Sequence, residues 1–281
     1  MIIDFHTHTF PDKSSEKIVN HLAHIGCIPP HTDGSVIGLF SSMKEADIDY
    51  SVNLPVMTKP SQVEKVNSSL IQQQEYLLDM KIITFGGMHP NYTNYKEELL
   101  RLKQAGIPGI KLHPAYQNVD LDDIRMMRII DEASSQGLIT LVHAGIDIGI
   151  YDHNYSSVAQ ILKLLKEVAE KLVLAHMGNW GCWNEVESDL AGAPVYFDTA
   201  FSYGPVTPLP DAPRAPYISY NLHPKDFVRL VRKHGTDKIL FGTDSPWENQ
   251  QDYVKRISHM DFTKEELEQI LSENAKKLFT I

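Results

Sequence analysis

Residues 2–8 of the chain read Ile-Ile-Asp-Phe-His-Thr-His, a short apolar run that leads directly into two histidines. The apolar part predicts a strand over residues 2–5. Because side chains alternate across a strand, His6 and His8 lie on the same face. Two imidazoles on one face can bind a single metal ion. The segment therefore predicts a strand whose carboxyl end carries a pair of metal ligands.

The same arrangement recurs through the chain, where short apolar runs end in a polar residue beside glycine or proline. Stretches with helical spacing of apolar residues separate these runs. Eight strands are predicted, at residues 2–5, 50–54, 82–85, 109–112, 138–142, 172–175, 195–198 and 239–242. Helices are predicted at residues 63–80, 121–136, 156–170 and 224–234, with a final helix at 261–281. The chain thus alternates strand and helix along most of its length.

Eight strand-then-helix units favour a closed (β/α)8 barrel, the TIM barrel, over an open doubly wound sheet. The first and last predicted strands both lead to candidate ligands, His6 and His8 on the first and Asp244 on the last. These two strands are neighbours in a closed barrel, whereas in an open sheet they need not be. We therefore predict an α/β fold with a single (β/α)8 domain over residues 1–281.

Two connections in this pattern are long, at about residues 10–36 after the first strand and 202–222 after the seventh. Loops of more than about 12–15 residues are uncommon unless they serve a function or lack order. In a barrel both would lie at the C-terminal face, where substrate pockets form. We expect them to form walls or lids of such a pocket.

The composition argues against several classes of protein. The 281 residues include 36 acidic and 26 basic side chains, and the net charge of −10 disfavours a broad nucleic-acid-binding surface. No apolar run approaches about 20 residues, so no membrane span is expected. The amino-terminal segment does not resemble a signal peptide, and Cys27 and Cys182 form no paired motif. We expect a cytoplasmic protein with two free thiols and, on base rates, a homodimer.

Three later runs end in the same way as the first. His143 ends LITLVHAG, His176 ends LVLAHMG, and Asp244 ends ILFGTDSP. One such residue is usually satisfied by the core or a loop. Four histidines and one aspartate at the ends of four strands of one barrel are hard to explain by packing. Three or four of them would complete a metal shell and leave a position open for water or substrate.

Taken together, these motifs resemble the metal-dependent amidohydrolase superfamily, and within it the amidohydrolase-2-like branch of hydrolases and non-oxidative decarboxylases. The resemblance covers nearly the whole chain and depends on the order and spacing of the motifs. They are HTH at residues 6–8, GIKLHP at 109–114, the histidines at 143 and 176, GTDSPW at 242–247 and NAKKLF at 274–279.

The resemblance implies a role for each matching residue. His6, His8 and His143 would bind a divalent metal, with Asp244 as a further ligand. Asp244 would also take a proton from the metal-activated water, while His176 would hold that water or polarise the substrate carbonyl. General chemistry supports these roles, since a metal lowers the pKa of bound water toward about 7 and a nearby carboxylate can then act as base and acid. The implied cofactor is one zinc ion, with manganese as the alternative.

Lys111 leaves the number of metal ions open. In some members of the superfamily a lysine on the fourth strand is carboxylated and bridges two ions, with His143 and His176 on the second ion. The Lys-Leu-His-Pro form of this chain resembles the one-metal branch instead. One metal is therefore the expectation, and two are expected only if Lys111 is carboxylated.

Substrate contacts are expected from further residues near the strand ends. Lys111 and His113 share a strand face by alternation, so both can reach the pocket. Arg214, in the second long connection, could bind a substrate carboxylate, and His89 follows the third strand. Three more residues are candidates for orienting a ligand or forming an apolar wall, namely Asp198, Trp180 and Trp247.

Four functions remain open at this stage. The main prediction is a metal-dependent hydrolase of a small-molecule amide, lactone or related carbonyl bond. The alternative is a metal-dependent non-oxidative decarboxylase, a lyase, of a small aromatic carboxylic acid, which would use the same ligands. A phosphodiester-cleaving relative of deoxyribonucleases would have a glutamate where Lys111 stands. A binding protein without catalysis would have no need of the intact ligand set.

Overall fold

Nine short parallel strands form the centre of the fold in the computed structural model, which describes residues 1–167, 171–210 and 221–279. They confirm the eight predicted strands, and the one predicted at residues 82–85 is followed, after Phe85, by a further two-residue strand that was not predicted. The strands are β1 (Ile3–Thr7), β2 (Tyr50–Asn53), β3 (Ile82–Thr84), β4 (Gly86–Gly87), β5 (Gly109–Leu112), β6 (Ile139–Val142), β7 (Leu172–Leu174), β8 (Tyr196–Asp198) and β9 (Ile239–Leu240).

Backbone hydrogen bonds close these strands into a barrel. β1 to β3 pair in parallel, and so do β4 to β9 in chain order. The first and last strands then meet, because Phe5 N–H donates to the carbonyl of Phe241 (2.7 Å) and Asp244 N–H to that of His6 (2.8 Å). The chain therefore folds as the predicted (β/α)8 barrel, with both predicted ligand strands side by side.

Helices surround the barrel and begin and end at recognisable signals. Those in the described residues are α1 (Ser15–Gly26), α2 (Val36–Glu45), α3 (Val63–Asp79), α4 (Tyr95–Gln104), α5 (Pro114–Gln117), α6 (Ile124–Ser135), α7 (Val158–Leu164), α8 (Trp183–Glu185), α9 (Pro224–His234), α10 (Gln250–Ser258), α11 (Lys264–Glu268) and α12 (Asn274–Phe279). Asp123 caps α6 by accepting from the N–H of Arg125 (2.9 Å). Pro224 opens α9 and Gly235 follows it.

Two helical predictions need correction. The helix predicted at residues 156–170 is the shorter α7, and the predicted end at Glu170 lies outside the described residues. The helix predicted at residues 261–281 begins at Lys264 and is divided into α11 and α12 by one wide helical turn, Gln269–Glu273, and its predicted end at Ile281 lies outside the described residues. Apolar spacing predicts that a segment is helical, but small changes in hydrogen-bonding pattern along it depend on what it packs against.

The connection after β1, expected to be a long loop at residues 10–36, contains a helix. α1 buries Val19 and Ala23, and its end lies against the loop after β6, where a methyl group added to Gly26 would be 3.2 Å from Ile148. Because β1 and β6 are the first and fifth strands of an eight-strand barrel, they lie on opposite sides. The connection therefore passes over the C-terminal face of the barrel.

Two apolar layers hold the fold together. Parallel strands covered on both faces are apolar almost throughout, which explains the continuous apolar runs of the sequence. The outer layer packs the strands against the helices. The inner layer fills the barrel with buried side chains, among them Ile3, Phe5, Val52, Leu54, Phe85, Leu141, Val173 and Leu240. Among the described helices, none combines the length and apolar character needed to cross a bilayer.

We predict that Gly145→Ala strongly destabilises the protein. Gly145 has φ +101°, and a methyl group there would lie 2.1 Å from the backbone nitrogen of Trp180. Such a clash with rigid backbone is expected to lower the free energy of unfolding by about 3 kcal/mol. Gly192→Ala is the matched control, since its φ is +92° but its methyl group would meet no described atom within 4 Å. Denaturant unfolding curves that shift equally for both variants would contradict the role of the clash.

Candidate metal centre

Three predicted ligands meet at the carboxyl ends of β1 and β9. The Nε2 atoms of His6 and His8 are 3.2 Å apart, and Oδ1 of Asp244 lies 3.3 Å from the first and 3.1 Å from the second. Metal–ligand distances of about 2.0–2.1 Å in a tetrahedral zinc site place the ligand atoms about 3.3 Å from one another. The three donor atoms therefore form one face of a tetrahedron of the correct size for such an ion.

Hydrogen bonds turn the lone pairs of both histidines toward this point. Nδ1 of His6 donates to Oδ2 of Asp198 (2.7 Å), and Nδ1 of His8 donates to the carbonyl of Leu54 (2.7 Å). Each Nε2 then carries a lone pair rather than a proton. Two lone pairs and a carboxylate oxygen repel one another at these distances unless a cation lies between them, so the donor set fits a divalent metal.

His143 and His176 lie next to this group but outside the triangle. Nδ1 of His176 donates to the carbonyl of Ala200 (2.8 Å), so its Nε2 also has a lone pair, and that atom lies 3.0 Å from Nδ1 of His143. The rings of His6 and His176 have centroids 5.2 Å apart. The structure thus brings five predicted residues together, while the ligand role of His143 stays a prediction.

Lys111 is fully buried beside the same donors. Its Nζ lies 3.2 Å from Nε2 of His6, and the residue is 1% exposed. In the part of the chain that the structure describes, no other lysine or arginine contacts these histidines. Burial lowers the pKa of its amine, and Asp198 and Asp244 act in the opposite direction. A buried amine at this position can contact a substrate or undergo carboxylation.

Burial also keeps the imidazoles neutral. Burial, reinforced by Lys111, holds the pKa of His6 well below its ordinary value, and burial lowers the pKa of His176 to about 4. Burial raises the pKa of Asp198, which is completely enclosed. Because the neutral imidazole is the form that binds metals, these histidines are ready to act as ligands at neutral pH.

Two residues of the site have backbone conformations that are rare for residues with a side chain. Asp244 has φ +69° and His176 has φ +59°. Such conformations cost about 1 kcal/mol or more, and persist only where neighbouring groups hold them. Here the N–H of Asp244 donates to the carbonyl of His6 (2.8 Å), and that of His176 to Oδ1 of Asp198 (2.9 Å). Strain of this kind is typical of functional sites.

The remaining predicted residues have different outcomes. The ring of His113 stacks on that of His143, with centroids 4.1 Å apart and planes at 12°, so it borders the centre. His89 is buried and its Nδ1 accepts from the N–H of Asn91 (3.1 Å), which is a loop contact rather than a site contact. Arg214 lies outside the described residues.

Of two carboxylates next to the centre, the sequence analysis ranked one too low and did not predict the other. Asp198, a weaker candidate, orients His6 directly. Asp147 was not predicted, although Oδ2 of its buried side chain faces both His113 and His143. Its position four residues after His143 was the available signal, but in the sequence it resembles an ordinary loop residue.

A cavity of about 500 Å³ borders the loop after β9 and is lined by residues that include Ile28, Phe201, Trp247 and Glu248, but by none of the metal-centre residues described above. Trp247 follows Asp244 by three residues, and its N–H donates to the carbonyl of Asp244 (2.8 Å). Ile28, Phe201 and Trp247 belong to an apolar cluster built from loops after several strands. Its size is that of a small-molecule pocket.

Sequence comparison identifies one family. The model of a family described as Amidohydrolase matches residues 3–281 of the chain. No curated protein matches it in sequence.

Solved structures similar to this chain have the same fold. An uncharacterised TIM-barrel protein from Bordetella bronchiseptica is 18% identical with a TM-score of 0.73, covering 99% of this chain and 98% of that chain. A dihydroxybenzoic acid decarboxylase from a Polaromonas species, solved with manganese and the inhibitor 2-nitroresorcinol, is 13% identical with a TM-score of 0.71, covering 99% and 96%. A protein from Acinetobacter baumannii described as a probable 2-pyrone-4,6-dicarboxylic acid hydrolase, with citric acid bound, is 18% identical with a TM-score of 0.67, covering 100% and 99%.

Proposed function

The chain belongs to the amidohydrolase family, in its amidohydrolase-2 branch, and from that premise we propose that it is a metal-dependent hydrolase. Its substrate is a small molecule with an amide, a lactone or a related carbonyl bond. The observation that carries this proposal is the triangle of His6, His8 and Asp244, whose donor atoms are spaced for one tetrahedral cation. His143 would supply a further ligand through Nδ1, the atom that faces His176.

The residues of the site divide the work of hydrolysis. A divalent cation held by this donor set would supply a Lewis acid that polarises a carbonyl and makes a neighbouring water more acidic. The carboxylate of Asp244, whose side chain is 12% exposed, takes a proton from the attacking water and returns it to the leaving group. The lone pair on Nε2 of His176 orients that water, and Nζ of Lys111 donates to an oxygen of the substrate.

The cavity bordered by Trp247 would accommodate the rest of the substrate. Its wall combines the apolar Ile28, Phe201 and Trp247 with Glu248 and Arg256, which form an ion pair. Such a lining suits a small molecule that carries both apolar and polar groups.

Hydrolytic activity is expected to depend on bound metal. Protein purified without chelator should contain about one zinc or manganese ion per chain, and should hydrolyse at least one member of a panel of lactones, esters and amides. Removal of the metal should abolish the activity, and its return should restore it. About two ions per chain would instead indicate a carboxylated Lys111, with His143 and His176 on the second ion. Protein that binds no metal even when metal is added would refute the proposal.

A non-oxidative decarboxylase is the second candidate, because the buried amine of Lys111 offers a cation to a substrate carboxylate. Both reactions would use the same ligands, so the products must decide between them. The same protein is therefore incubated with a panel of small aromatic carboxylic acids. Release of carbon dioxide without hydrolysis of the first panel would favour the decarboxylase.

A further inference from the structure

Asp147 is a buried carboxylate with one oxygen held in place and the other facing the site. It lies in the loop after β6 and is 6% exposed. Oδ1 accepts from the N–H groups of Gly149 (2.8 Å) and Ile150 (3.1 Å). Oδ2 lies 3.6 Å from Nε2 of His113 and 3.9 Å from Nε2 of His143. The loop backbone therefore fixes the direction in which Oδ2 points.

His143 has a ring nitrogen that needs a partner. Its Nε2 is buried and has no hydrogen bond to any residue that the structure describes. Its Nδ1 faces Nε2 of His176, which has a lone pair because Nδ1 of His176 donates to Ala200. If Nδ1 of His143 binds a cation, the single proton of the neutral ring must lie on Nε2. That proton would point at Oδ2 of Asp147.

His113 reaches the same oxygen from a parallel ring. Nδ1 of His113 accepts from the N–H of Tyr116 (3.3 Å), so its proton lies on Nε2, facing Oδ2 of Asp147. The rings of His113 and His143 are stacked at 4.1 Å and 12°. One carboxylate oxygen thus faces two imidazole nitrogens, and the stacking limits rotation of either ring.

The same three side chains do not suit a second metal ion, although their donor atoms lie within 4.8 Å of one another. Because Nδ1 of His113 accepts from the N–H of Tyr116, the proton of this ring lies on Nε2, which then has no lone pair for an ion beside Asp147. The arrangement fits N–H donors facing a carboxylate instead.

We propose that Asp147 is a positioning residue, whose carboxylate accepts the Nε2 proton of His143 and so presents Nδ1 of that ring to the metal. The proposal deepens the proposed function and rests on it, since it takes His143 to be a ligand. Carboxylates that accept from a metal-bound histidine orient the ring and raise its basicity. Removal of such a partner weakens metal affinity by about 10–100-fold.

Zinc affinity of Asp147→Asn tests the proposal directly. The dissociation constant for zinc, measured by competition with a chelator, should rise by about 10–100-fold. Asparagine preserves the shape of the side chain, and thermal unfolding of the metal-free protein checks that the fold is retained. Asp152→Asn, at an exposed position in the same loop, is the matched control and should change the constant less than twofold.

Nitrogen NMR of histidine-labelled protein provides a second readout that needs no variant. In metal-free protein the proton of His143 should lie on Nδ1, since Nε2 of His176 accepts it, and zinc should move it to Nε2. Unchanged zinc affinity in Asp147→Asn, or a zinc-loaded wild type with the proton still on Nδ1, would overturn the role of Asp147 and leave the proposed function standing. A wild type that binds neither zinc nor manganese would overturn the proposed function itself.

Discussion

Asp244→Asn is expected to lower kcat/KM by roughly 10³-fold while metal content and fold are retained. The asparagine side chain keeps an oxygen where Oδ1 of Asp244 lies, 3.1 Å from Nε2 of His8, but it cannot accept a proton from water. Asparagine also tolerates the left-handed backbone conformation at φ +69°. The substitution therefore removes the proton acceptor and leaves a donor atom for the metal.

Steady-state kinetics with the best substrate of the hydrolysis panel, together with elemental analysis, measures this effect. Asp261→Asn is the control, because that side chain is 98% exposed and lies on the surface. A decrease in kcat/KM of less than 10-fold in Asp244→Asn would show that another group accepts the proton. A large decrease with loss of metal would make Asp244 a ligand only.

His8→Ala is expected to remove most of the metal and, with it, the activity. It deletes one vertex of the donor triangle, so affinity should fall by more than the roughly 10–100-fold effect of losing a partner that only supports a ligand. His8 is a cleaner choice than His6, because its Nδ1 bonds to a backbone carbonyl, that of Leu54 just after β2. His6, by contrast, is bonded to the buried carboxylate of Asp198.

Metal content after dialysis and zinc affinity by chelator competition measure this second effect. His21→Ala is the matched control, since His21 is exposed on α1 and alanine favours the helix. Zinc affinity in His8→Ala within a few-fold of wild type would show that the triangle is not the metal site. Metal loss together with a large decrease in the unfolding temperature of the metal-free protein would instead indicate damage to the fold.

Local sequence rules predicted the framework correctly. The apolar runs before His143 and His176 are strands β6 and β7, because parallel strands covered on both faces need apolar side chains throughout. Alternation along β1 correctly placed His6 and His8 on one face, as their Nε2 atoms show. These features depend on residues a few positions apart, so a single sequence is sufficient to predict them.

Local sequence rules failed where tertiary packing determines the structure. The segment at residues 10–36 was predicted to be a long loop, yet α1 forms within it, and the packing of Val19 and Ala23 against the rest of the protein stabilises this helix. Asp147 was missed for a related reason. In the sequence it is one more acidic residue in a loop, and only the stacked rings of His113 and His143 reveal what it faces.

The sequence by itself determined which donors end which strands, and therefore that a barrel of this topology collects them at one end. Only the tertiary structure decided which nitrogen of each ring faces the centre, since Asp198 is 192 residues from His6 and Ala200 is 24 residues from His176. It also placed Lys111, 105 residues away, against His6. A strand determines the direction of its own side chains. Which nitrogen of an imidazole carries the lone pair, however, depends on a neighbour from another strand that accepts the proton on the opposite nitrogen.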